Sequence, residues 1–186
     1  MGVNRFYKVI GFSGLPGSGK STAIEAIKDI GTVVTMGDVV RYEAKKQGIE
    51  PTGENLGKIA KKLRELYGPS IIARKCVELI DTLNDSIIFI DGVRSIYEVE
   101  VFRNRWKFPL VVIQMNKKER LNRIASRGRS DDSINAKEFN KRDQRELAFG
   151  IQDVIDIADY KIVNDSNIEV LKEKTKKIVL EIIENY

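Results

Sequence analysis

The residues most able to do chemistry in this chain are Gly14-Leu15-Pro16-Gly17-Ser18-Gly19-Lys20-Ser21-Thr22. The spacing Gly-x-x-x-x-Gly-Lys-Ser is that of a phosphate-binding loop. Glycines at 14, 17 and 19 let backbone amides, including that of Ser18, turn inward and approach phosphate oxygens closely. A helix beginning at Lys20 adds its dipole, and Thr22 continues its first turn. Lys20 reaches the terminal phosphates, and the Ser21 hydroxyl suits Mg²⁺. A flexible glycine turn is the plain alternative, but the fixed positions all fall between an apolar run and a helical pattern.

Two carboxylates stand where such a loop needs them. Asp91, in Asp91-Gly92-Val93-Arg94, follows four apolar residues and reads as a strand-end ligand to Mg²⁺ through water. A turn-forming Asp-Gly would look the same. Asp38, in Met36-Gly37-Asp38-Val39-Val40-Arg41, reads either as a helix N-cap or as a group facing an incoming acceptor. Arg41 lies one helical turn later and suits an acceptor phosphate. Farther on, Arg120, Arg123 and Arg127 fall at i, i+3 and i+7, Arg129 follows in a turn, and Arg142 and Arg145 repeat the i, i+3 spacing. A solvated charged face explains most such runs. Phosphoryl transfer also needs cations over the transferred group, and Arg127 and Arg129 are the expected lid residues.

These groups must be held by elements that the apolar pattern outlines. Runs at 6–12, 32–36, 86–91, 109–115 and 160–163 lack polar alternation, as strands covered on both faces do. Helical patterns follow each one, which predicts an α/β fold, a doubly wound five-stranded parallel sheet. Helices around 38–47, 54–67 and 70–84 form an insertion at about 38–84 on the acceptor side. Helices near 117–127 and 136–147 frame a small arginine-rich lid at about 117–145, and 170–183 closes the sheet edge. One domain spanning 1–186 is expected. Cys76 and the pair Trp106 and Phe108 read as packing.

Composition narrows the chemistry further. The 186 residues carry 32 Lys+Arg, 27 Asp+Glu, one cysteine and no histidine. That excludes Ser-His and Cys-His nucleophile pairs, His-containing zinc sites, and an internal disulfide framework. Ten basic and five acidic residues fall within 117–145, so the net charge is concentrated where the lid is expected. An anionic ligand is implied, either a phosphorylated small molecule or nucleic acid. No apolar run approaches the ~20 residues of a membrane span, and the chain reads as soluble and cytoplasmic.

Together these residues resemble the P-loop nucleoside-monophosphate kinases, adenylate kinase in particular. Gly14–Thr22 is similar to that family's Gly-x-Pro-Gly-x-Gly-Lys loop, and Gly37-Asp38-Val39-Val40-Arg41 to its Gly-Asp-Met-Leu-Arg. Asp91-Gly92-Val93-Arg94 resembles its Asp-Gly-Phe-Pro-Arg, one residue shorter. The stretch 120–132 resembles its lid and 158–164 its last strand, an element that with Asp38 also resembles dephospho-coenzyme A kinase. Over the whole chain the likeness is to archaeal adenylate-kinase-related proteins, carried by Glu54-Asn55-Leu56-Gly57 and the stretches 91–95, 127–132 and 146–151. The resemblance implies a kinase that moves the γ-phosphoryl of Mg·ATP to a nucleoside monophosphate or similar acceptor. Arg41 and Arg94 would hold the acceptor phosphate. Where adenylate kinases place an adenine-reading glutamine, this chain has Glu98. A carboxylate only accepts hydrogen bonds and would suit guanine as well as adenine.

Other readings compete. A hydroxyl acceptor would make Asp38 a general base. A nucleotide sensor or switch with little turnover fits the same loop. Asn116-Lys117-Lys118-Glu119 superficially resembles a guanine-reading motif but carries Glu in place of Asp. A nucleic-acid-associated ATPase would use the basic segment, yet only Phe139 there offers an aromatic ring for base stacking.

Overall fold

The computed structural model describes residues 7–127 and 136–186. Strands β1 (Lys8–Ser13), β2 (Thr32–Thr35), β3 (Ile87–Asp91), β4 (Leu110–Gln114) and β5 (Tyr160–Val163) pair in the order β2-β3-β1-β4-β5. Every pairing is parallel. Between and after them run α1 (Lys20–Glu25), α2 (Met36–Lys46), α3 (Gly53–Tyr67), α4 (Ile71–Ile80), α5 (Ile96–Arg105), α6 (Lys117–Arg127), α7 (Ala136–Ala148), α8 (Ile151–Asp156) and α9 (Ile168–Glu184). The expected doubly wound α/β architecture is the one observed.

The two-residue period of a strand explains why the apolar runs show no polar alternation. Val9, Ile88 and Ile90 point to one face, where they meet residues of α2, α3, α4, α5 and α8. Ile10, Phe12 and Phe89 point to the other and meet Ile27, Leu171, Val179 and Ile182. Each fully buried side chain of this kind contributes roughly 1.5–3 kcal/mol relative to exposure. Phe102 lies 4.9 Å from Phe108 and 6.5 Å from Trp106, centroid to centroid, so the expected aromatic packing is present. α9 lies against α1 and reaches β5, covering a face of the sheet as well as its edge.

Register places the site. Phe12 and Thr35 both stand opposite Asp91, so β1, β2 and β3 end at one level. The loop after β1, the start of α2 and the turn after Asp91 therefore share the carboxyl edge, where doubly wound sheets bind ligands. The turn is fastened to β1, because the Gly92 and Val93 amides donate to the Phe12 carbonyl.

Several boundaries differ from the sequence expectation. Met36, expected to end β2, opens α2, because Thr35 keeps an extended backbone and serves as the N-cap. Asp38 therefore sits inside the first turn and is not the cap. The helix expected over 70–84 stops at Ile80, where the Thr82 hydroxyl donates to the Leu79 carbonyl at 2.7 Å. α8 was not anticipated as separate, and Gly150, with φ +93°, divides it from α7. Among the described residues, no helix is long and apolar enough to cross a membrane.

Cys76 is wholly buried in α4, and burial pushes its thiol up to about 12. The thiol therefore stays protonated and inaccessible at pH 8. The expected result is negligible alkylation of native protein by a maleimide or iodoacetamide reagent, and complete labelling in denaturant. Native labelling at the rate of a free thiol would contradict the packing around α4.

Candidate active site

The loop between β1 and α1 forms one wall of a cavity of about 210 Å³ at the carboxyl edge. Gly14 through Ser21 line it, and Thr22 lies next on α1. Glycine is required at two of these positions. Gly17 has φ +81°, and a Cβ there would meet the Arg120 carbonyl oxygen at 2.9 Å. Gly19 has φ +102°, and a Cβ would lie 2.3 Å from Asn164 Nδ2. A side chain at Gly17 would collide with α6 and one at Gly19 with Asn164, and at either place it would strain the backbone. Asn164, just beyond β5, donates from Nδ2 to the Ser18 carbonyl at 2.8 Å and from its backbone amide to Gln114. The sequence offered only its strand-end position as a signal. Ser18 Oγ is buried and has no hydrogen-bond partner among the described residues.

Lys20 Nζ is paired with the Asp91 carboxylate, and both side chains are mostly buried. The lysine and carboxylate expected to act together are thus in contact, with Ser21 on the same cavity wall. The residues suit Mg²⁺: an inward-turned glycine cradle, an orphaned buried hydroxyl, one serine and one carboxylate. Among the described residues no three acidic or thiol side chains converge into a metal cage. Mg²⁺ is commonly held this way, by one or two carboxylates plus substrate phosphates and water.

A second part of the lining is mostly cationic. Gly37 and Arg41 of α2, Arg94 after β3, and Arg142 and Glu146 of α7 line it. Asp38 does not; its Oδ1 accepts from Arg41 NH1 at 2.6 Å in an exposed pair. Arg94 Nε lies 3.2 Å from Glu146 Oε2, and the Glu146 side chain is only 5% exposed. Burial lowers the pKa of the neighbouring Arg145, Glu146 opposes that shift, and Arg142 and Arg94 add to it. Glu146 is therefore a local counter-charge to Arg94 and Arg145. Arg142 falls in the basic segment, and Glu146 opens the stretch 146–151 that carries the archaeal likeness, although its spacing gives no role for it.

Glu98 is found elsewhere than expected. It is fully buried and lines no part of the cavity. One oxygen accepts from Arg64 NH2 at 2.7 Å and the other from the Arg94 amide at 2.8 Å. Both oxygens are committed to the protein, so Glu98 is not placed to read an acceptor base. Ser95 caps α5 and accepts from the Glu98 amide, which makes Ser95-x-x-Glu98 a capping-box pattern already present in the sequence. Arg64 also stacks over the Phe149 ring at 4.6 Å.

Arg120, expected with Arg123 and Arg127 on a charged helix face, is buried. It forms a bidentate pair with Asp143 of α7 at 2.7 and 2.6 Å and donates to the Pro16 carbonyl at 3.0 Å. Its guanidinium stands 5.1 Å over the Phe139 ring. Arg120 thus joins α6, α7 and the phosphate loop. Arg123 also approaches the loop, its NH1 2.9 Å from where a Gly19 Cβ would be. Arg129 and the side chain of Arg127 lie outside the described residues.

A five-stranded parallel sheet with this glycine cradle after its first strand defines a P-loop kinase-like domain. A family model described as an AAA domain, AAA_17, matches residues 13–138. The chain belongs to that family and to the UPF0200 proteins. It is 43% identical over 180 residues to UPF0200 protein MJ1399 of Methanocaldococcus jannaschii, covering 95% of this chain and 91% of that one. The archaeal likeness read from the sequence is thereby borne out. Among solved structures, shikimate kinase from Acinetobacter baumannii in complex with shikimate aligns with a TM-score of 0.60 at 14% identity, covering 97% of this chain and 96% of that one. TT1252 from Thermus thermophilus aligns with the same TM-score at 18% identity, covering 94% and 97%. At these identities the likeness is one of fold.

Proposed function

We propose that this protein is a small-molecule kinase that transfers the γ-phosphoryl group of Mg·ATP to a nucleoside monophosphate or similar phosphorylated acceptor. The observation that carries the reading is the cavity itself. A phosphate cradle with Lys20 and Asp91 forms one side, and Arg41, Arg94 and Arg142 form the other. An acceptor anion held by those arginines faces the terminal phosphate of a nucleotide held by the loop.

In this reading the amides from Gly14 to Ser21 and the Lys20 ammonium bind the donor phosphates. Ser21 and, through water, Asp91 would hold Mg²⁺, which neutralises charge on the phosphates when bound. The bond from Pγ to the bridging oxygen breaks as a bond from Pγ to an acceptor oxygen forms, and ADP leaves. An ionised phosphate acceptor needs no base, consistent with a histidine-free chain. Arg41 and Arg94 hold that acceptor, Asp38 holds Arg41 in place, and Arg127 and Arg129 close over the transferred group. The sheet and cavity favour nucleotide and small-molecule ligands over nucleic acid, and a cytoplasmic location fits such substrates.

Incubation with Mg·ATP and a panel of nucleoside monophosphates, with dephospho-coenzyme A as the hydroxyl arm, tests the reading. Transfer to one acceptor is expected. Arg41→Ala should raise the acceptor KM tenfold or more with a smaller change in kcat, since it removes a charge-assisted contact worth about 1.5–3 kcal/mol. Asp38→Asn should reproduce part of that effect. Tight nucleotide binding without transfer to any acceptor would favour a sensor and defeat the kinase reading.

A further inference from the structure

Glu146 has no part in holding the phosphates of donor or acceptor, yet its carboxylate is buried in the wall of the cavity that receives the acceptor. A carboxylate there is a liability for an anion. An anionic oxygen in a charge-assisted bond to Arg94 lies roughly 2.8 Å from that guanidinium. Glu146 Oε2 already lies 3.2 Å from Arg94 Nε. Two oxyanions then share one guanidinium, and they repel, the more so because the Glu146 carboxylate is only 5% exposed and so weakly screened by water. The repulsion turns into attraction when a hydrogen-bond donor stands between them, because a carboxylate accepts and never donates.

We infer that Glu146 is a specificity-determining residue, and that the acceptor carries a hydroxyl group placed to donate to it while its anionic group is held by Arg94. The inference rests on the phosphotransfer reading for the identity of the cavity. A hydroxyl is favoured over an ammonium because Lys20, Arg41, Arg94 and Arg142 outnumber Asp91 and Glu146 around the cavity. A second cation on the acceptor would face that excess. The contact is one of recognition, and no bond changes at Glu146. It also explains why a glutamate and not a neutral residue accompanies Arg94: a bare phosphate is rejected, and a hydroxylated one is kept.

The test measures binding, so it does not depend on turnover. Full-length protein is saturated with a non-hydrolysable ATP analogue and Mg²⁺ to fill the phosphate loop. Ethyl phosphate, 2-hydroxyethyl phosphate and 2-aminoethyl phosphate are then titrated by NMR at pH 8, where the phosphates are fully ionised. The hydroxylated probe should bind at least tenfold more tightly than ethyl phosphate. Glu146→Ala should bring that ratio near one by strengthening ethyl phosphate binding. Glu146→Gln, which keeps the shape and one acceptor oxygen, should tighten both probes and preserve part of the preference. Equal wild-type affinities, no binding of either probe, or a ratio unchanged in Glu146→Ala would overturn the inference. So would tightest binding of the amine. Failure of the ATP analogue to bind would instead count against the kinase reading, and the Glu146 ratio would still be read from the probes alone.

Discussion

Lys20→Ala is expected to abolish phosphoryl transfer, lowering kcat by a factor of 10²–10³ or more while leaving the fold intact. The ammonium is the one side-chain cation of the phosphate loop and lines the cavity paired with Asp91. Its charge acts on the oxygens where negative charge is redistributed in transfer, and removing one preorganised donor of that kind costs about 2.7–4 kcal/mol of barrier. The loss of an ammonium is at the upper end of that range. Stability changes little, because alanine is the best helix former at the first position of α1 and the Asp91 side chain keeps 14% exposure to water. Asp91 without its lysine also leaves two carboxylate oxygens facing incoming phosphates. Nucleotide affinity therefore falls along with kcat. The measurement is initial-rate transfer to the acceptor found in the panel, with calorimetric nucleotide binding and a thermal melt as controls. An unchanged kcat would mean that the loop does not hold the transferred group.

The parts of the site that are legible in the sequence are those whose spacing is set by the ligand. A phosphate needs amides, a lysine and a hydroxyl at fixed offsets along one strand-loop-helix turn, so Gly14 to Ser21 are readable without a fold. Asp91 is readable because a strand end in a parallel sheet faces the same edge. What is not readable depends on which helix lies across which. Glu98 looks like a base reader from its distance to Arg94 in sequence, but its distance to Ser95 in sequence says capping box, and local hydrogen bonding prevailed. Arg64 lies 34 residues away on α3 and completes that pairing. Glu146 becomes a cavity residue only because α7 passes beside the turn after β3. The arginine face of α6 shows the same limit. Periodicity groups Arg120 with Arg123 and Arg127, and only packing shows that Arg120 faces inward.

Arg120 and Asp143 carry the largest stability effect. Asp143→Ala should destabilise the protein by about 3–5 kcal/mol, the cost of leaving one member of a buried ion pair without its partner. The pair is 23 residues apart in sequence, bidentate, and 4% and 8% exposed at the two side chains. With Asp143 gone, the Arg120 guanidinium keeps its contacts with the Pro16 carbonyl and the Phe139 ring, and its Nε already has no hydrogen-bond partner among the described residues. For a chain of this size the loss corresponds to a fall in Tm of roughly 6–20 °C. A double variant, Arg120→Met with Asp143→Leu, should be far less destabilised than the sum of the single changes. Replacing both charges by apolar groups of similar volume removes the desolvation cost along with the attraction. Denaturant unfolding of the four proteins gives the coupling energy directly, and additive losses would mean that the two side chains do not share one buried site. The double variant separates a second role. It restores packing between α6 and α7 but removes the donor to Pro16, so a recovered Tm with weakened nucleotide binding would trace the loop's position to Arg120. Within its most basic segment the chain thus turns one arginine inward as a brace between α6, α7 and the phosphate loop.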